Sequence, residues 1–545
     1  MDEFAARTKV EWREWGPEAF ATAERAGKPV LLALTAPWCE DCHEMDRTTY
    51  AEPRIAANVN DGFVPVRVDA DRYPRVRDRY NMGGFPSTVF TTPDGTVITG
   101  ATFLGIDGFR EILDAVRRTW DGKGADAGSV PRPLREAGPP GGSLSARVEE
   151  HMVEQLLAAY DDEFGGWGTD VKFPLPRTVE FALVRARDQA TRTLEAVRTR
   201  LTDTHDGGFY RYARNRDWSD PAREKLADEN AALVRAFARG YRYTGEEAYL
   251  DTAREGVEYL TTDLWTGEGV GASQGGDDAY YRLEATERAD ADPPGVDGTL
   301  LAGHNALAAD AFLTVAAYSD DDRAQRYAER ALEVVRDLVD EDGGVVHYRA
   351  DDGTGATGLL VSQARALVGL TTAGEVLGEL GPARAVADYA IEHLGDESGA
   401  FRDGPAVADA PGLLDRPLYP LDSNVELAGA LVDLWALTDD DRYRSAARAA
   451  LGAFADATDR MGVEVAGYAS AVARLRDPRV VAVGTPAGSD LHRAALRLAD
   501  HETTVVPDDS RADDGEAVVL ADGTGTGRAS DPAELEAALT GTDGA

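Results

Sequence analysis

The feature that most constrains the fold is a helical pair that recurs between Ser145 and Ala471. Each pair consists of an Ala/Leu-rich helix, a short polar break, and a second helix with apolar residues at positions i, i+3, i+4 and i+7. Glycine-plus-aromatic turns such as EFGGWG, DGGFYRY and DGGVVHYR separate the pairs. Six of these turns, roughly 40 to 75 residues apart, predict six helical hairpins. We expect the hairpins to close into an (α/α)6 toroid, although an open helical solenoid would show the same pattern.

The first 120 residues follow a different pattern. Apolar strands are predicted at 29–35 and 63–70, and two more flank the turn at 93–95. Helices are expected after the first, second and last of these strands, so the order βαβ(α)ββα is typical of a thioredoxin-like α/β fold. We therefore assign residues 1–120 to a thioredoxin-like domain, 121–144 to a Gly/Pro-rich linker or strap, 145–471 to the toroid, and 472–545 to a small α/β appendage.

Both cysteines of the chain lie in one short motif, Cys39-Glu40-Asp41-Cys42, and His43 follows directly. A Cys-x-x-Cys-His sequence also occurs at c-type haem attachment sites. Alternatively, Cys39, Cys42 and His43 could form a zinc site together with a distant carboxylate. Two buried, inert thiols are a further alternative. Because the chain has no second cysteine pair and a reducing compartment does not maintain structural disulfides, the motif favours a redox role.

The charge of the chain excludes several classes of partner. Its formal net charge is −40, and only five of its residues are lysine. Such a surface repels nucleic acid and anionic membranes. The composition resembles that of proteins from salt-loving archaea, whose molar salt screens the excess charge. Since the sequence shows neither a signal peptide nor about 18 consecutive apolar residues, we expect a cytoplasmic protein, and we predict neither a cofactor nor a metal.

Two segments of the first domain, APWCEDC and GGFPST, resemble the active-site segments of thioredoxin-like proteins. The resemblance implies that Cys39, at a helix N-terminus, attacks a substrate and that Cys42 resolves the mixed disulfide. It also implies that Pro86 is held in cis beside the dithiol and guides a substrate strand. The chain departs from thioredoxins at Ala33, where they carry a buried aspartate. Proton transfer would then fall to His43, to Glu44 or to water, and the acids Glu40 and Asp41 should oppose thiolate formation.

The toroid region contains several candidate ligand-binding side chains. Two of the five lysines lie there, Lys172 in GTDVKFPLP and Lys225 in DWSDPAREKLADENA. We expect Glu224, Lys225 and Asp228 to share one face of a helix and to contact a ligand together with Lys172. Aromatic and histidine side chains of the turns are expected around a central funnel, where each of them could also pack structurally: Trp167, Tyr210, Tyr212, His347 and Tyr348.

A second resemblance covers nearly the whole chain. The ordered segments KPVLLAL, WCEDCHEMDRTTY, GGFPSTVFTTPDG, VKFPLP, DGGFYRYARNRDWSDPAREKLADENA, HNALAADAF and RVVAVGTPAGSD are similar to those of the spermatogenesis-associated protein 20 family. The resemblance implies a thioredoxin-like domain joined to a six-hairpin toroid with a ligand pocket. The family's usual Trp-Asn-Gly is His304-Asn305-Ala306 here, so Asn305 becomes a candidate binding residue in an altered pocket.

Three functions remain open at the level of sequence. The first is a thiol:disulfide oxidoreductase whose toroid recognises a protein thiol or disulfide partner or a small sugar-like ligand. The second is a carbohydrate-active enzyme, because the toroid also resembles sugar epimerases and six-hairpin glycosidases; its candidate acid and base groups are His205, His304, His347, Glu224, Asp228 and Asp422. The third is a binding scaffold without chemistry.

Overall fold

The structure is a computed structural model that describes residues 8–135, 138–407 and 410–542. Contact density divides the chain into two compact units. The first unit contains the N-terminal residues up to 138 and two later segments, 274–295 and 403–418. The second contains 139–273, 296–402 and the chain from 419 onward. The two later segments of the first unit interrupt the region that the sequence assigns to the toroid, and the appendage belongs to the second unit.

The first unit is built on a five-stranded mixed sheet in the order β1-β3-β2-β4-β5. Its strands are β1 (Arg13–Glu14), β2 (Val30–Thr35), β3 (Val64–Asp69), β4 (Ser87–Thr91) and β5 (Val97–Ala101). Its helices are α1 (Pro17–Ala26), α2 (Glu40–Arg47), α3 (Pro53–Gly62), α4 (Pro74–Tyr80) and α5 (Ile106–Lys123). Strands β1, β3 and β2 run parallel, and β4 and β5 are antiparallel to their neighbours. Apolar clusters cover both faces of the sheet, so the predicted thioredoxin-like fold is confirmed.

Two stretches outside the predicted domain pack on this unit. The expected linker begins with helical turns at Gly124–Ala127 and Arg132–Leu134, and it buries Leu134 in one of the apolar clusters. In the segment 403–418, the carboxylate of Asp403 accepts hydrogen bonds from Arg75 (2.8 Å) and Arg79 (2.5 Å) of α4. These contacts explain why a segment remote in sequence joins the first unit. The charge of Asp403 neutralises two guanidinium groups that are buried in this unit.

In residues 138–407 and 410–542, twelve helices alternate between an outer and an inner position. The outer helices are α6 (Arg147–Ala159), α8 (Arg187–Arg200), α10 (Glu247–Thr262), α12 (Asp322–Asp337), α14 (Ala383–Tyr389, continued by a π-helical turn at Ala390–Leu394) and α16 (Asp441–Gly452). The inner helices are α7 (Pro176–Arg185), α9 (Ala227–Thr244), α11 (Ala302–Ser319), α13 (Leu360–Leu377), α15 (Leu421–Thr438) and α17 (Ala466–Arg476). Each inner helix contacts the next, and α17 contacts α7. The helices therefore close into the predicted (α/α)6 toroid, and the open solenoid is excluded.

Local sequence explains the tight hairpins. Helix α11 ends at Asp320 and α15 at Asp439, and both residues adopt the left-handed conformation that stops a helix. The residue that follows, Asp321 or Asp440, accepts backbone N–H groups at the start of the outer helix. The inner helix α11 is apolar on all sides because it is buried on all sides, whereas the outer α12 is amphipathic.

Short strands and a small sheet complete the second unit. The short strands are β6 (Tyr212–Ala213), β7 (Pro221–Ala222), β8 (Lys225–Leu226), β9 (Ser273–Gln274), β10 (Val296–Asp297), β11 (Leu300–Leu301), β12 (Tyr348–Ala350) and β13 (Gly353–Thr354). The appendage has β14 (Arg479–Val483), α18 (Asp490–Leu498), β15 (Thr504–Val506), β16 (Ala517–Ala521), β17 (Thr524–Ala529) and α19 (Pro532–Thr542). Its sheet order is β15-β14-β16-β17, which confirms the predicted α/β character.

The appendage covers the C-terminal ends of the inner helices. Arg497, His492 and Arg511 hydrogen-bond the carbonyl oxygens of Ala317, Glu375 and Ala436, at the ends of α11, α13 and α15. Guanidinium groups at helix C-termini satisfy otherwise unpaired carbonyl groups and favour the helix dipole. This end of the toroid is therefore closed by its own chain. In the described residues, no helix combines the length and apolar character needed to cross a membrane.

Candidate functional site

The dithiol lies at the start of α2. Cys39 is the N-cap residue of this helix, and a disulfide bond joins it to Cys42. Cys39 is 4% exposed and Cys42 is 2% exposed. The backbone N–H of Cys42 points at the Cys39 sulfur over 3.1 Å. After reduction, a negative charge on the Cys39 sulfur would meet this N–H group and the positive end of the helix dipole.

The segment containing Pro86 lies beside the dithiol. The Phe85–Pro86 peptide bond is cis. The ring of Trp38, which precedes Cys39, makes an edge-to-face contact with the ring of Phe85, with centroids 5.5 Å apart. The two segments that resemble thioredoxin active-site segments therefore meet in the folded domain.

Acidic side chains surround the first turn of α2. Glu40 lies 2.6 Å from Arg47 and 3.9 Å from the Nδ1 atom of His43. Burial raises the pKa of Glu40, but the hydrogen bonds from His43 and Arg47 outweigh burial and hold this pKa below its ordinary value. Glu40 is thus ionised at neutral pH, one residue from Cys39, and its charge opposes thiolate formation.

Sequence reasoning missed a buried carboxyl group in the same helix. Asp46 is 5% exposed and pairs with Arg67 of β3, and Arg67 lies beside Ala33 in the sheet. Burial raises the pKa of Asp46 above its ordinary value, although Arg67 acts in the opposite direction. The domain therefore holds an ion pair, Arg67–Asp46, next to Ala33. The carboxyl group of this pair lies four residues after Cys42.

In the toroid, the two lysines are enclosed in turns. Lys172 is fully buried, and its ammonium group donates to Asp161 (3.0 Å) and to the carbonyl oxygens of Gly165 (3.0 Å) and Gly168 (2.5 Å). Burial lowers its pKa. Its partner Asp161 opens the turn DDEFGGWG, so the lysine closes a loop of its own chain.

Lys225 repeats this arrangement in the next turn. It is fully buried, donates to Asp203 (2.8 Å) and to the carbonyl oxygen of Gly207 (2.6 Å), and lies 4.8 Å from the ring centroid of Tyr259. The expected shared helical face with Glu224 and Asp228 is wrong, because Lys225 lies in β8 and α9 begins only at Ala227. In this extended backbone the side chain of Lys225 reaches Asp203.

Asn305 belongs to a structural device that recurs around the toroid. Its Oδ1 atom accepts from the backbone N–H of Val270 (2.9 Å), and its Nδ2 atom donates to the carbonyl oxygens of Val270 (3.0 Å) and Leu301 (3.1 Å). Asn230 and Asn424 make the same three kinds of bond with Phe209 and Phe401 and with their own helices. Each asparagine thus clamps a glycine-plus-aromatic turn to an inner helix, and these contacts support a structural role for Asn305.

Most of the predicted aromatic lining is packed rather than open. Trp167, Tyr210, His347 and Tyr348 are at most 9% exposed. The Nδ1 atom of His347 lies 2.8 Å from the Ser362 hydroxyl. By contrast, Tyr212 is partly exposed and stacks on Phe173 with centroids 4.7 Å apart. Of the other candidate acid and base groups, His205 is exposed beside Asp206 (3.6 Å), and Asp422 is exposed in the first turn of α15.

The side chains that do come together lie at the N-terminal ends of the inner helices, and we call them the mouth cluster. Its centre is Asp228 of α9, which contacts Arg365 of α13 (3.0 Å) and His304 of α11 (3.6 Å). Arg365 also reaches Glu426 of α15 (3.4 Å). The cluster consists of Arg211, Glu224, Asp228, Glu229, His304, Arg365 and Glu426.

Glu229, which sequence reasoning missed, has unusual surroundings. Its Oε1 atom lies 3.4 Å from Arg211. Its Oε2 atom is shielded from solvent and has no hydrogen-bond partner in the described structure, although the side chain as a whole is 36% exposed. Burial, aided by the charge of Asp228 and opposed by Arg211, raises the pKa of Glu229 to about 8.

Asp228 has the opposite character. Burial acts to raise its pKa, but the positive charges of His304 and Arg365 outweigh burial and hold this pKa well below its ordinary value. The surroundings of the two adjacent residues therefore act in opposite directions: those of Asp228 favour the carboxylate, and those of Glu229 favour the carboxylic acid. Environments that separate the pKa values of two neighbouring carboxyl groups are typical of acid–base sites.

A cavity of about 180 Å³ lies along the inner helices and shares Glu426 with the mouth cluster. Glu426 and Arg177, which are 2.5 Å apart, line it at one end, and Glu375 and His501 line it near the appendage. Burial and the charge of Asp433 raise the pKa of Glu375 to about 8. Among the described residues, no group of three or more His, Cys, Asp or Glu side chains is arranged to hold a metal ion.

Comparisons with known proteins agree with the domain order. Residues 3–132 match the family model Thioredox_DsbH, described as a protein of unknown function, DUF255. Human spermatogenesis-associated protein 20 is 28% identical over 299 residues, which cover 48% of this chain and 38% of the human protein. The match thus spans little more than a third of that relative. Thiol:disulfide interchange protein DsbD 1 of Pseudomonas aeruginosa is 37% identical over 104 residues, covering 18% of this chain and 17% of that protein.

Solved structures resemble part of this chain at low sequence identity. Cellobiose 2-epimerase from Spirochaeta thermophila is 18% identical with a TM-score of 0.45, and the match covers 56% of this chain and 82% of that one. A family 76 glycoside hydrolase from Bacteroides thetaiotaomicron is 12% identical with a TM-score of 0.41, covering 56% of this chain and 67% of that one.

Proposed function

Taking the chain as a homologue of the spermatogenesis-associated protein 20 proteins, with a thioredoxin-like domain of the Thioredox_DsbH family at its N-terminus, we propose that this domain is a thiol:disulfide oxidoreductase. The observation that carries the proposal is the Cys39–Cys42 disulfide at the N-terminus of α2, beside the segment of Pro86. The match to a thiol:disulfide interchange protein over 104 residues supports it.

The roles of the two sulfurs follow from their positions. The Cys39 thiolate attacks a disulfide of a partner protein, and one partner sulfur leaves as a thiolate. The Cys42 thiolate then attacks the Cys39 sulfur of the mixed disulfide, which releases the second partner thiol and forms the Cys39–Cys42 disulfide. Because the helix N-terminus favours a Cys39 thiolate while Glu40 opposes it, we expect a moderately reducing dithiol rather than a strong oxidant. The protein acts on a thiol or disulfide partner in the cytoplasm.

A trapping experiment tests this proposal. Cys42→Ser removes the resolving thiol, so the variant should accumulate mixed disulfides with partner proteins through Cys39. Cys39→Ser is the matched control and should accumulate none. Non-reducing gels with mass spectrometry identify the adducts. In the reduced wild type, alkylation should label Cys39 before Cys42. Equal trapping by both variants, or faster labelling of Cys42, would contradict these roles.

The second candidate function is ligand binding by the toroid, and the mouth cluster favours it. Four inner helices or their preceding loops converge there with charged groups that keep some exposed surface: the side chains of Arg211, Asp228 and Arg365 are 24%, 21% and 21% exposed. Charged side chains at such a partly open junction are suited to hydrogen-bond a polar molecule. We therefore assign ligand contact to Glu224 and Asp228 rather than to Lys172, Lys225 or Asn305. Binding of sugars by calorimetry, compared between wild type and Asp228→Ala, tests this assignment. Equal sugar binding by the two proteins, or none by either, would contradict this assignment.

A further inference from the structure

We propose that Asp46 accepts the proton of the Cys42 thiol when the mixed disulfide is resolved, and that Arg67 holds the carboxyl group of Asp46 in place. The inference rests on the proposed oxidoreductase function. It names a residue that the resemblance to thioredoxins does not supply, because they carry their buried aspartate at the position of Ala33. Three observations about the first unit carry it: the spacing of Cys42 and Asp46 in their helix, the ion pair below them, and the incomplete hydrogen bonding of that pair.

Cys42 and Asp46 lie on the same face of helix α2. Residues four apart in an α-helix are one turn from each other, with Cβ atoms about 5 to 6 Å apart. Both residues are among the buried ones of this helix. His43 and Glu44, the acceptors expected from the sequence, project about 100° and 200° away from Cys42, and the side chain of Glu44 is 46% exposed. Of these three groups, only Asp46 shares the buried face with Cys42.

The sheet below α2 supplies the cation of the pair. Arg67 of β3, Ala33 of β2 and Thr88 of β4 are direct neighbours across the strands, so their side chains point to the same face of the sheet. Arg67 donates a hydrogen bond to the Oδ1 atom of Asp46. Because Ala33 carries only a methyl group, the guanidinium group and the carboxyl group can meet between the sheet and the helix.

The ion pair is not fully bonded. Among the described residues, only Arg67 donates a hydrogen bond to Asp46, so the Oδ2 atom of Asp46 retains an open acceptor position. The Nε atom of Arg67 is shielded from solvent and also lacks a partner in this part of the chain. Buried polar groups with a purely structural role are normally satisfied. The open Oδ2 atom can take the proton of a thiol.

The charges around Asp46 suit a proton acceptor. Burial raises the pKa of Asp46, while Arg67 from the sheet and His43 and Arg47 from its own helix act in the opposite direction. Tyr50, one turn further along, has its pKa raised to about 12 by burial and stays neutral. A base works best when its pKa lies near the operating pH. A carboxyl group with a raised pKa therefore accepts a thiol proton better than an exposed one does.

Protons and electrons balance within the exchange reaction. In the mixed disulfide, the Cys42 thiol gives its proton to the Asp46 carboxylate, and the Cys42 sulfur attacks the Cys39 sulfur. The bond between the Cys39 sulfur and the partner sulfur breaks, and the partner leaves with the electron pair of that bond as a thiolate. The proton then passes from Asp46 to this thiolate or to water, which restores the carboxylate.

The experiment separates the two steps in the reduced, full-length chain, in molar KCl. The probe 5,5′-dithiobis(2-nitrobenzoate) forms a mixed disulfide with Cys39 and releases one coloured thiolate, and attack by Cys42 releases a second. Asp46→Asn should change the rate of the first release less than about threefold. It should slow the second release about tenfold or more at pH 7 and shift the pH midpoint of that step upward by about one unit or more. The two proteins should converge near about pH 10, where Cys42 ionises without an acceptor.

Further variants separate proton transfer from stability. Asp61→Asn, an exposed aspartate in the last turn of α3, is the matched control and should leave both releases unchanged. Asp46→Asn combined with Arg67→Gln removes both buried charges, so it keeps the fold if the unpaired guanidinium group destabilises the single variant. We expect the same slow second release from the double variant. Melting curves identify the variants that are folded.

The outcomes distinguish this proposal from the oxidoreductase function on which it rests. A carboxylate that only repels the Cys42 thiolate would give a faster second release in Asp46→Asn. The proposal is overturned by that result, by an unchanged second release, by recovery of the wild-type rate in the double variant, or by a slower second release in Glu44→Gln or His43→Gln instead. A wild type that releases no thiolate at all contradicts both proposals, whereas a normal first release leaves the oxidoreductase function standing.

Discussion

The toroid contains two kinds of buried charge, and they differ in how completely they are bonded. Lys172 and Lys225 are fully buried, and each donates to a carboxylate and to glycine carbonyl oxygens within 3.0 Å. In the mouth cluster, Glu229 has one contact at 3.4 Å and one unpaired oxygen, and its neighbour Asp228 keeps 21% of its side chain exposed.

The difference separates stabilising groups from groups that are available for chemistry. A buried charge whose bonds are satisfied within the chain contributes to the native state alone, and it strongly destabilises that state when its partner is removed. A charge with unsatisfied bonds makes a smaller contribution to stability and keeps its capacity to bind a ligand. The comparison therefore predicts large stability effects at the lysines and small ones in the mouth cluster.

The largest expected effect is that of Lys225→Ala. Removal of the ammonium group leaves the buried carboxylate of Asp203 without its cation, so the free energy of unfolding should fall by roughly 3 to 5 kcal/mol. Denaturant unfolding in high salt measures this. The double variant Lys225→Ala/Asp203→Ala removes both charges and should recover part of the loss. If Lys225→Ala instead keeps its stability and loses sugar binding, Lys225 is a ligand contact and the comparison fails.

A smaller loss is expected for Asn305→Ala. The substitution removes the side-chain partner of the backbone N–H and carbonyl groups of Val270 in the interior, which costs about 1 to 3 kcal/mol. Asn230→Ala is the matched variant, because Asn230 makes the corresponding bonds with Phe209 and Leu226. The two variants should lose similar amounts of stability in denaturant unfolding. A loss at Asn230 with none at Asn305, accompanied by weaker ligand binding at Asn305, would restore the role suggested by family resemblance.

The parts of the molecule that the sequence predicts are those in which the decisive residues are close together in the chain. The dithiol motif, its preceding strand and the following helix occupy fewer than 20 consecutive residues, 30–47, and the predicted strand at 29–35 differs from the observed one by a single residue. The toroid was predictable for a related reason, because each hairpin repeats the same local pattern of apolar faces and glycine turns.

The mouth cluster could not be assembled in this way. Asp228, His304, Arg365 and Glu426 lie on four inner helices that are more than 60 residues apart from one to the next, and sequence periodicity does not state which side chains meet at the ring. Glu229 follows the predicted residue Asp228 in the sequence. Its pKa, however, is determined by burial and by the contact with Arg211, which only the fold provides. The rarity of lysine did single out Lys172 and Lys225, and the structure supports a stabilising reason for retaining them.

The pH dependence of stability sharpens the contrast inside the cluster. The pKa of Glu229 rises from an ordinary value of 4.5 in the unfolded chain to about 8 in the fold. The folded protein therefore binds the extra proton, and stability from this residue declines as the pH rises from about 4.5 to about 8. Glu229→Gln removes this decline, so the variant should melt at a higher temperature than the wild type at pH 9 and close to it at pH 5.

Asp228→Asn is the complementary test. Its expected effect on the melting temperature is the smallest of those predicted here, and it is smallest in acid. Because the pKa of Asp228 is lowered in the fold, its carboxylate contributes stability above the ordinary value of 3.8, and this contribution disappears as the pH falls below that value. The variant should therefore melt below the wild type at pH 7, and the difference should shrink towards zero in acid. Adjacent residues would then show opposite pH dependences, which follows if Arg365 and His304 neutralise one carboxyl group while the other has a single 3.4 Å contact with Arg211. Melting curves of both variants between about pH 2 and pH 9 measure this. Parallel shifts at every pH would show that the two carboxyl groups share one environment, and the contrast between Asp228 and Glu229 would be lost.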